Sequence, residues 1–578
     1  MEPAERINRF TPVRAIALGV FLLALLIRLP GIGWGLKNDL HNASYHPDED
    51  PIFGYSRAIV PGQGHFLPGF YNYGTLYLTL LRVASDITTT YTGGPKVPGD
   101  GFSMSNPDRT DWDWVSRCHM AGRLISAVAG AGTALIVFCI GLRCFGVGAG
   151  GISGLVMAIA PAFVMHSRFQ TVDVVAMFFL SCSALYAIRL TKEERSSWMR
   201  LAIWCGVFAG LSAGTKYTGI LALCSLYAAL AVVGKGSVPL AIKAAAAGTG
   251  AAVAAFAVTT PGFILQNSVF LRDFSYEMVH TQTGHDIVFT GTPSAFVYHL
   301  ANLGIGVDGL LVALGLAGVV WAAYRRHPWA LVLLAFWVPY YFVISRAEVK
   351  FIRYSIPLEL AVSIGCGYAI VAAHRRGGWG RIAVGVGILG FGGLGGGGLA
   401  STISLTRKMM ATDPRDEAAS YLRAQGGRVG MPRDPWFWSP PLFSDSAEPR
   451  SVPWPRRFQE LTSLANPPID LVLNPDGSPT EWDPKLVTNL HPDRISFGSF
   501  EYLPVERLKR AQGLPGDQQA LINTANVFMD ALQTNYLQDR AFGSQLSLVV
   551  PTAGWFPEDM MPEDFLYSQP IVWIWKRK

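Results

Sequence analysis

Apolar residues fall in long blocks over roughly the first 405 positions, separated by short charged connections, and the pattern then stops. The blocks are Ala15–Trp34, Leu124–Leu142, Val147–Met165, Val172–Leu190, Leu201–Gly214, Ile220–Val233, Ala241–Thr259, Leu300–Ala323, Trp329–Ile344, Tyr354–Ala373 and Ile382–Leu405. Runs of this kind, near 20 residues in most cases, predict membrane-spanning helices, here eleven of them. Arg6, Arg9 and Arg14 precede the first block and no small-residue cleavage site follows it, so it reads as an uncleaved signal anchor with a cytoplasmic N-terminus.

Residues 71–91 are also fairly apolar but contain Arg82 and Asp86. With eleven spans, Arg143, the cluster from Arg189 to Arg200, Lys235/Lys243, Arg325/Arg326 and Arg375/Arg376/Arg381 all fall on the cytoplasmic side. A twelfth span would place each of them outside, against the positive-inside rule. Residues 71–91 are therefore expected to form an amphipathic helix at the outer surface, within a long outer loop of residues 35–122.

After residue 406 prolines and charges return, and β-like runs appear at Ile469–Leu473, Ser496–Tyr502, Leu546–Val550 and Ile571–Trp575, with helical patterns at Asp413–Gln425 and Gln518–Leu532. The expected organisation is a polytopic α-helical membrane domain, 1–406, followed by a small extracytoplasmic α/β domain, 407–578. Composition agrees: 50% of the 578 residues are hydrophobic and only 15% charged, well below the roughly 25% typical of soluble proteins. A net charge of +6, scattered along the chain, gives no basis for nucleic-acid binding. The seven cysteines form no disulfide framework or zinc spacing. The GVGILG run at 385–390 fits a dinucleotide-binding pattern, but it lies inside an apolar block with no preceding strand, so close helix packing is its expected use.

Four places carry candidate chemistry. The segment HPDED, His46 to Asp50, sets three carboxylates and an imidazole just beyond the first span. Neighbouring residues point in different directions, so Asp48 and Glu49 are expected to differ in role: one a general base, the other orienting it or holding a divalent cation. The plain alternative is a solvated acidic turn. Asp173 lies at the outer start of the fourth span, where an acid is either functional or a carboxylate favoured by the helix dipole. Arg346, Lys350 and Arg353 have i, i+4, i+7 spacing on the outer side, where the positive-inside rule disfavours them. The expectation is one helical face gripping an anionic lipid phosphate, the alternative being snorkelling to ordinary headgroups. Arg168 and Lys216 are similarly placed. His280, His285 and Asp286 in the loop 261–294 suggest acceptor or lipid contacts, with no third metal ligand evident.

Taken together, an Asp-Glu pair after the first span, Arg168 and Asp173 at the third-to-fourth junction, the Thr215-Lys216 turn and the KFIRY loop (350–354) resemble the GT-C superfamily of phospholipid-carrier-dependent glycosyltransferases. The chain is similar over roughly 15–410 to glycosyltransferase family 39, the protein O-mannosyltransferases and aminoarabinose transferases, and to the bacterial RgtA/B/C/D-like group. The resemblance implies a sugar donor carried on polyprenyl phosphate, a lipid, glycan or protein acceptor, and inverting transfer at the outer face of the cytoplasmic (inner) membrane. It implies Asp48 as base, Glu49 as its neighbour, Asp173 as a second acid, and Lys216, Arg346, Lys350, Arg353 and Arg168 around the donor phosphate, with His46 nearby. HPDE stands where an aromatic-Asp-Glu is usual. No cofactor is required by the sequence, though a divalent cation is compatible. A secondary transporter or lipid flippase is the alternative class, but its mid-membrane charges and inverted repeats are not evident.

Overall fold

The computed structural model describes residues 3–95, 110–284, 287–376, 378, 380–433, 435, 437–442, 469–472, 481–544 and 560–578. Among the described residues six helices are long and apolar enough to cross a membrane: Trp112–Phe145, Val172–Leu190, Tyr217–Gly236, Val238–Thr259, Ala295–Tyr324 and Ile352–Arg376. Three shorter apolar helices, Val147–Ile159, Pro328–Ile344 and Gly380–Gly392, pack among them. In chain order the first seven α-helices are α1 (Pro3–Arg28), α2 (Glu49–Arg57), α3 (Leu76–Thr92), α4 (Trp112–Phe145), α5 (Val147–Ile159), α6 (Pro161–His166) and α7 (Val172–Leu190).

Several of the predicted apolar blocks are not continuous α-helices. Val147–Met165 breaks at Ala160, whose backbone turns extended before Pro161 opens α6, as expected of a residue preceding proline. Ile382–Leu405 breaks between Gly380–Gly392 and Gly398–Met410. There Gly393 and Gly396 take positive φ, and the Asp308 carboxylate accepts the Gly397 N–H at 3.2 Å. The glycine run does serve close packing: a Cβ on Gly387 would meet Ile370 at 2.6 Å.

The expected amphipathic helix is α3. It buries Tyr77, Leu78 and Leu81, while Val83, Ile87 and Tyr91 form an exposed apolar stripe at i, i+4, i+8. Arg82 and Asp86 do not face lipid alone. They pair across one turn at 2.8 Å, and Arg57 joins at 3.3 Å.

The C-terminal region holds a five-stranded sheet of order β2-β1-β3-β5-β4. Its strands are β1 (Gly427–Gly430), β2 (Ile469–Val472), β3 (Arg494–Gly498), β4 (Tyr536–Phe542) and β5 (Val572–Arg577). β1 is parallel to β2 and β3, whereas β5 runs antiparallel to β3 and β4. All five β3 residues are buried, as suits a central strand covered on both faces. The helix Gly516–Asn535 packs Phe528 and Leu532 into the same core as Ile495 and Phe497. The run Ser496–Tyr502 is only partly a strand. After Gly498 the chain turns into a helix, Ser499–Leu508, and Glu501 accepts the Gly498 N–H at 2.6 Å. The run Leu546–Val550 lies outside the described residues.

This region is bound tightly to the helical one. Trp34 donates to Asp413 at 3.0 Å, Tyr45 to Asp416, and the Arg415 guanidinium lies 3.8 Å from the centre of the Tyr45 ring. Phe169, Phe351, Phe437, Phe500 and Tyr567 share one apolar cluster across the junction. That junction is where the candidate site lies.

Candidate active site

The three acids of HPDED part company because a helix begins among them. Asp48 is the residue flanking α2, and Glu49 and Asp50 occupy its first turn, successive side chains there diverging by about 100°. Each finds its own cation or imidazole. Asp48 pairs with Arg353 at 2.9 Å and keeps 30% of its side chain exposed. Glu49 has none exposed. Arg123 grips both its oxygens at 2.8 and 2.6 Å, Ser44 donates at 2.5 Å, and the Gln170 N–H donates at 2.7 Å. Asp50 meets His119 Nε2 at 2.8 Å.

Burial alone would push the Glu49 carboxyl upward, but Arg123 outweighs it and holds the group at about 2. Glu49 is thus a permanently charged tie between α2 and α4, sealed from any acceptor. Its burial against Arg123 suits the orienting one of the two roles expected for the pair. His46 is enclosed likewise. Its ring is buried between Phe169 and Tyr567, with centroids at 4.5 and 5.2 Å. Burial lowers its proton affinity, and the neutral ring accepts the Asp48 N–H at Nδ1, 3.3 Å away.

Asp48 and Arg353 line a cavity of about 740 Å³ between the helical and C-terminal regions. Its far wall is built from Arg433, Trp438, Glu481, Glu563 and Tyr567. Beside it lies an apolar groove of about 150 Å³, lined by Phe274, Met278, Tyr340, Val343 and Ile344, with Lys216 and Arg346 as its cations. Tyr73, Glu277 and Tyr354 belong to both spaces. A third, narrow pocket gathers Asp173, Lys216 and Arg353. Asp173, in the first turn of α7, accepts from Lys216 Nζ at 2.6 Å, and that ammonium also sits 4.5 Å above the Tyr354 ring centre. Asp173 does not line the large cavity; it pairs with Lys216, which lines the groove.

The expected common face of Arg346, Lys350 and Arg353 is absent. The helix ends at Ile344, residues 346–351 form an irregular loop, and a 3₁₀ segment runs Ile352–Leu358. Arg346 is exposed over Phe342 at 5.4 Å. Lys350 is buried away from both spaces, donating to Thr292 at 3.0 Å beside Glu348 at 3.6 Å. Arg168 is also removed from the phosphate set. Its buried guanidinium ties Ile27 O at 2.8 Å and Thr406 at 2.7 Å, joining α1 to Gly398–Met410. His280 lies at the rim of the large cavity, stacked on Tyr276 at 5.8 Å. His285 lies outside the described residues. Among the described residues no group of three or more His, Cys, Asp or Glu side chains is placed to hold a metal ion. Asp48 and Glu49 each pair with a different guanidinium.

The turn presenting Arg353 is set from far along the chain. Asp564 accepts the Ile352 and Arg353 N–H groups at 2.9 and 3.1 Å and lies 3.5 Å from His166. Burial pushes Asp564 up to about 6 and its neighbour Glu563 up to about 7. Sequence reading missed Asp564, Glu563, Arg433 and Arg123. Arg123 had a signal: it enters an apolar helix, where an ionisable residue is a functional candidate by default. The others lie in a region with no motif.

Residues 117–264 match the family model described as dolichyl-phosphate-mannose-protein mannosyltransferase. This stretch, about a quarter of the chain, contains Arg123, Asp173 and Lys216 and leaves out Asp48 and Arg353. The resemblance read from the motifs is thus met by a family match over that stretch. No curated protein matches the chain by sequence. Among solved structures, ArnT from Cupriavidus metallidurans bound to undecaprenyl phosphate is 19% identical, with a TM-score of 0.44, covering 72% of this chain and 69% of that one. AglB from Archaeoglobus fulgidus, in complex with an inhibitory peptide and a dolichol-phosphate, is 12% identical, with a TM-score of 0.47, covering 96% and 77%. The Saccharomyces cerevisiae Pmt1-Pmt2 complex bound to its sugar donor is 16% identical, with a TM-score of 0.32, covering 45% and 34%. At these scores nothing below rests on the three likenesses.

Proposed function

We propose that this chain is a membrane glycosyltransferase that moves a sugar from a polyprenyl-phosphate donor to an acceptor hydroxyl, with inversion, at the outer face of the cytoplasmic membrane. The observation that carries the reading is the adjacency of two spaces: an apolar groove bearing Lys216 and Arg346 shares Asn72, Tyr73, Glu277 and Tyr354 with a polar cavity in which Arg353 pairs with the partly exposed Asp48. A prenyl chain suits the groove, and its phosphate suits Lys216 and Arg353. Eleven spans, an N-terminus inside, α3 lying at the outer surface on its apolar stripe, and the sheet-bearing region outside complete the arrangement.

In the resting site Arg353 holds Asp48. An arriving phosphate competes for that guanidinium, which can grip its oxygens in bidentate fashion. The carboxylate so released accepts the acceptor hydroxyl proton as the acceptor oxygen bonds to the anomeric carbon. The bond from that carbon to phosphate oxygen breaks, and the polyprenyl phosphate leaves with its charge met by Arg353 and Lys216. Asp173 fixes Lys216 for this. Glu49 and Arg123 fix the start of α2, and with it Asp48.

The test is lipid-linked sugar profiling in a deletion strain. The donor should accumulate, and the wild-type gene, but not Asp48→Asn, should clear it. Clearance by Asp48→Asn would overturn the reading. So would proteoliposomes in which the lipid-linked sugar crosses the bilayer without any glycosidic bond forming.

A further inference from the structure

The large cavity and the groove differ in the sign of their charges. The groove has Lys216 and Arg346 beside one acid, Glu277. Among the described residues the cavity is lined by four carboxyl groups, Asp48, Glu277, Glu481 and Glu563, by two guanidinium groups and the His280 imidazole, and by no lysine. Both guanidinium groups are already engaged by carboxylates: Arg353 by Asp48 at 2.9 Å and Arg433 by Glu481 at 2.7 Å. Once the donor phosphate has taken Arg353, an anionic acceptor would meet an acid-rich wall whose other guanidinium, Arg433, is committed to Glu481. Like charges gathered in a recess select strongly against such a partner.

The same wall suits hydroxyl groups. Asn72 offers an amide, the carboxylates accept hydroxyl protons, and Tyr73, Trp438 and Tyr567 offer rings with an apolar face and a polar tip. Glu563 and Tyr567 lie four residues apart, at the start of the helix Glu563–Leu566 and just beyond its end, and both reach the cavity, while Asp564 between them turns away to hold the Arg353 loop.

Resting on the glycosyltransferase reading, we propose that this cavity is the acceptor subsite for an uncharged or amine-bearing saccharide, and that Glu481 and Glu563 exclude phosphorylated or carboxylated acceptors.

The experiment is equilibrium binding to the full-length protein in nanodiscs, using four probes: mannotriose, a glucosamine trimer, mannotriose 6-phosphate and a Ser/Thr-rich peptide. The two uncharged or cationic sugars should bind about tenfold or more tightly than the phosphorylated one. In Glu481→Gln/Glu563→Gln that preference should shrink by about the same factor. Glu481→Gln alone, at a partly exposed position, guards against a folding defect and should give a smaller shift in the same direction. Preferential binding of the phosphorylated sugar or the peptide, no saccharide binding, or an unchanged preference in both variants would each overturn the proposal. Undecaprenyl phosphate is titrated separately. Its binding should weaken in Arg353→Ala and persist in Glu481→Gln. Failure of that arm alone counts against the donor reading and leaves the acceptor result to stand or fall by itself.

Discussion

The groove and the cavity share Asn72, Tyr73, Glu277 and Tyr354 as a partition, yet they are different solvents. On the groove side the surface is almost wholly hydrocarbon and ring, with its charges on Lys216, Arg346 and Glu277. On the cavity side carboxylates, guanidinium groups and aromatic rings alternate. Such a pair of spaces lets a lipid tail remain in an apolar medium while its headgroup reacts in a polar one. In the proposed reaction it also divides the labour of the charged residues, a cation on the groove side holding the donor and an acid on the cavity side taking the proton.

The sharpest way to break this division is Asp48→Asn. Turnover should fall by about 10²–10⁴-fold, and the melting temperature should fall less than in Glu49→Gln, because Asp48 keeps 30% of its side chain exposed. Undecaprenyl phosphate should bind at least as well, since Arg353 no longer has a competing carboxylate. Near-wild-type single-turnover rates in the purified variant would remove Asp48 from the chemistry.

Glu49→Gln, one residue away, should act on the fold. It leaves Arg123 buried without its counter-charge, which typically costs about 3–5 kcal/mol, and the loss should appear in thermal melting before any donor is added. The sign with pH is fixed. Because the folded Glu49 sits at about 2, below its unfolded value, its stabilisation is complete above about pH 4.5 and drains away as pH falls toward 2. The variant should show a flatter melting-temperature profile over that range, and parallel profiles would contradict the pairing.

Arg353→Ala should lower kcat/KM by about 10–100-fold, by analogy with loss of a charge-assisted contact of about 1.5–3 kcal/mol. Arg353→Lys should recover only part of it, because an ammonium lacks the planar fork. Equal recovery by lysine would mean that simple charge suffices. The smallest effects belong to the loop before it. Arg346→Ala should raise the donor KM a few-fold, about 1 kcal/mol or less for an exposed cation. Lys350→Ala should leave donor kinetics unmoved, and a donor defect there would return Lys350 to the phosphate site.

Reading the sequence located the apolar blocks well, because hydrophobic length is a direct physical requirement of a bilayer. It located both Asp48 and Arg353, but nothing local says that residues 305 positions apart meet. It could not rank Asp48 against Glu49, since their roles separate only when α2 begins between them. The i, i+4, i+7 spacing of Arg346, Lys350 and Arg353 misled because it presumes a helix. The chain there follows a loop held by Asp564, and spacing has no meaning without the backbone that gives it geometry. Arg123 escaped because it lies one residue outside the block whose edge it marks. The cavity's far wall was illegible: its residues are scattered from 433 to 567 and become a surface only when the sheet folds.

Asp564 gives the molecule a temporal order. The two backbone N–H groups that shape the Arg353 turn have their acceptor more than 200 residues downstream. At ribosomal speeds of about 5–20 residues per second, the interval between making the turn and making its clamp is about 10–40 s. Throughout that interval the groove helices can insert and pack while the Arg353 guanidinium lacks its final bearing. The Arg353 turn therefore gains its two Asp564 hydrogen bonds only after the groove helices have been made. A translation pause or a cut anywhere between the turn and its clamp should yield a protein that is inserted and apolar-packed yet without an ordered Arg353 turn.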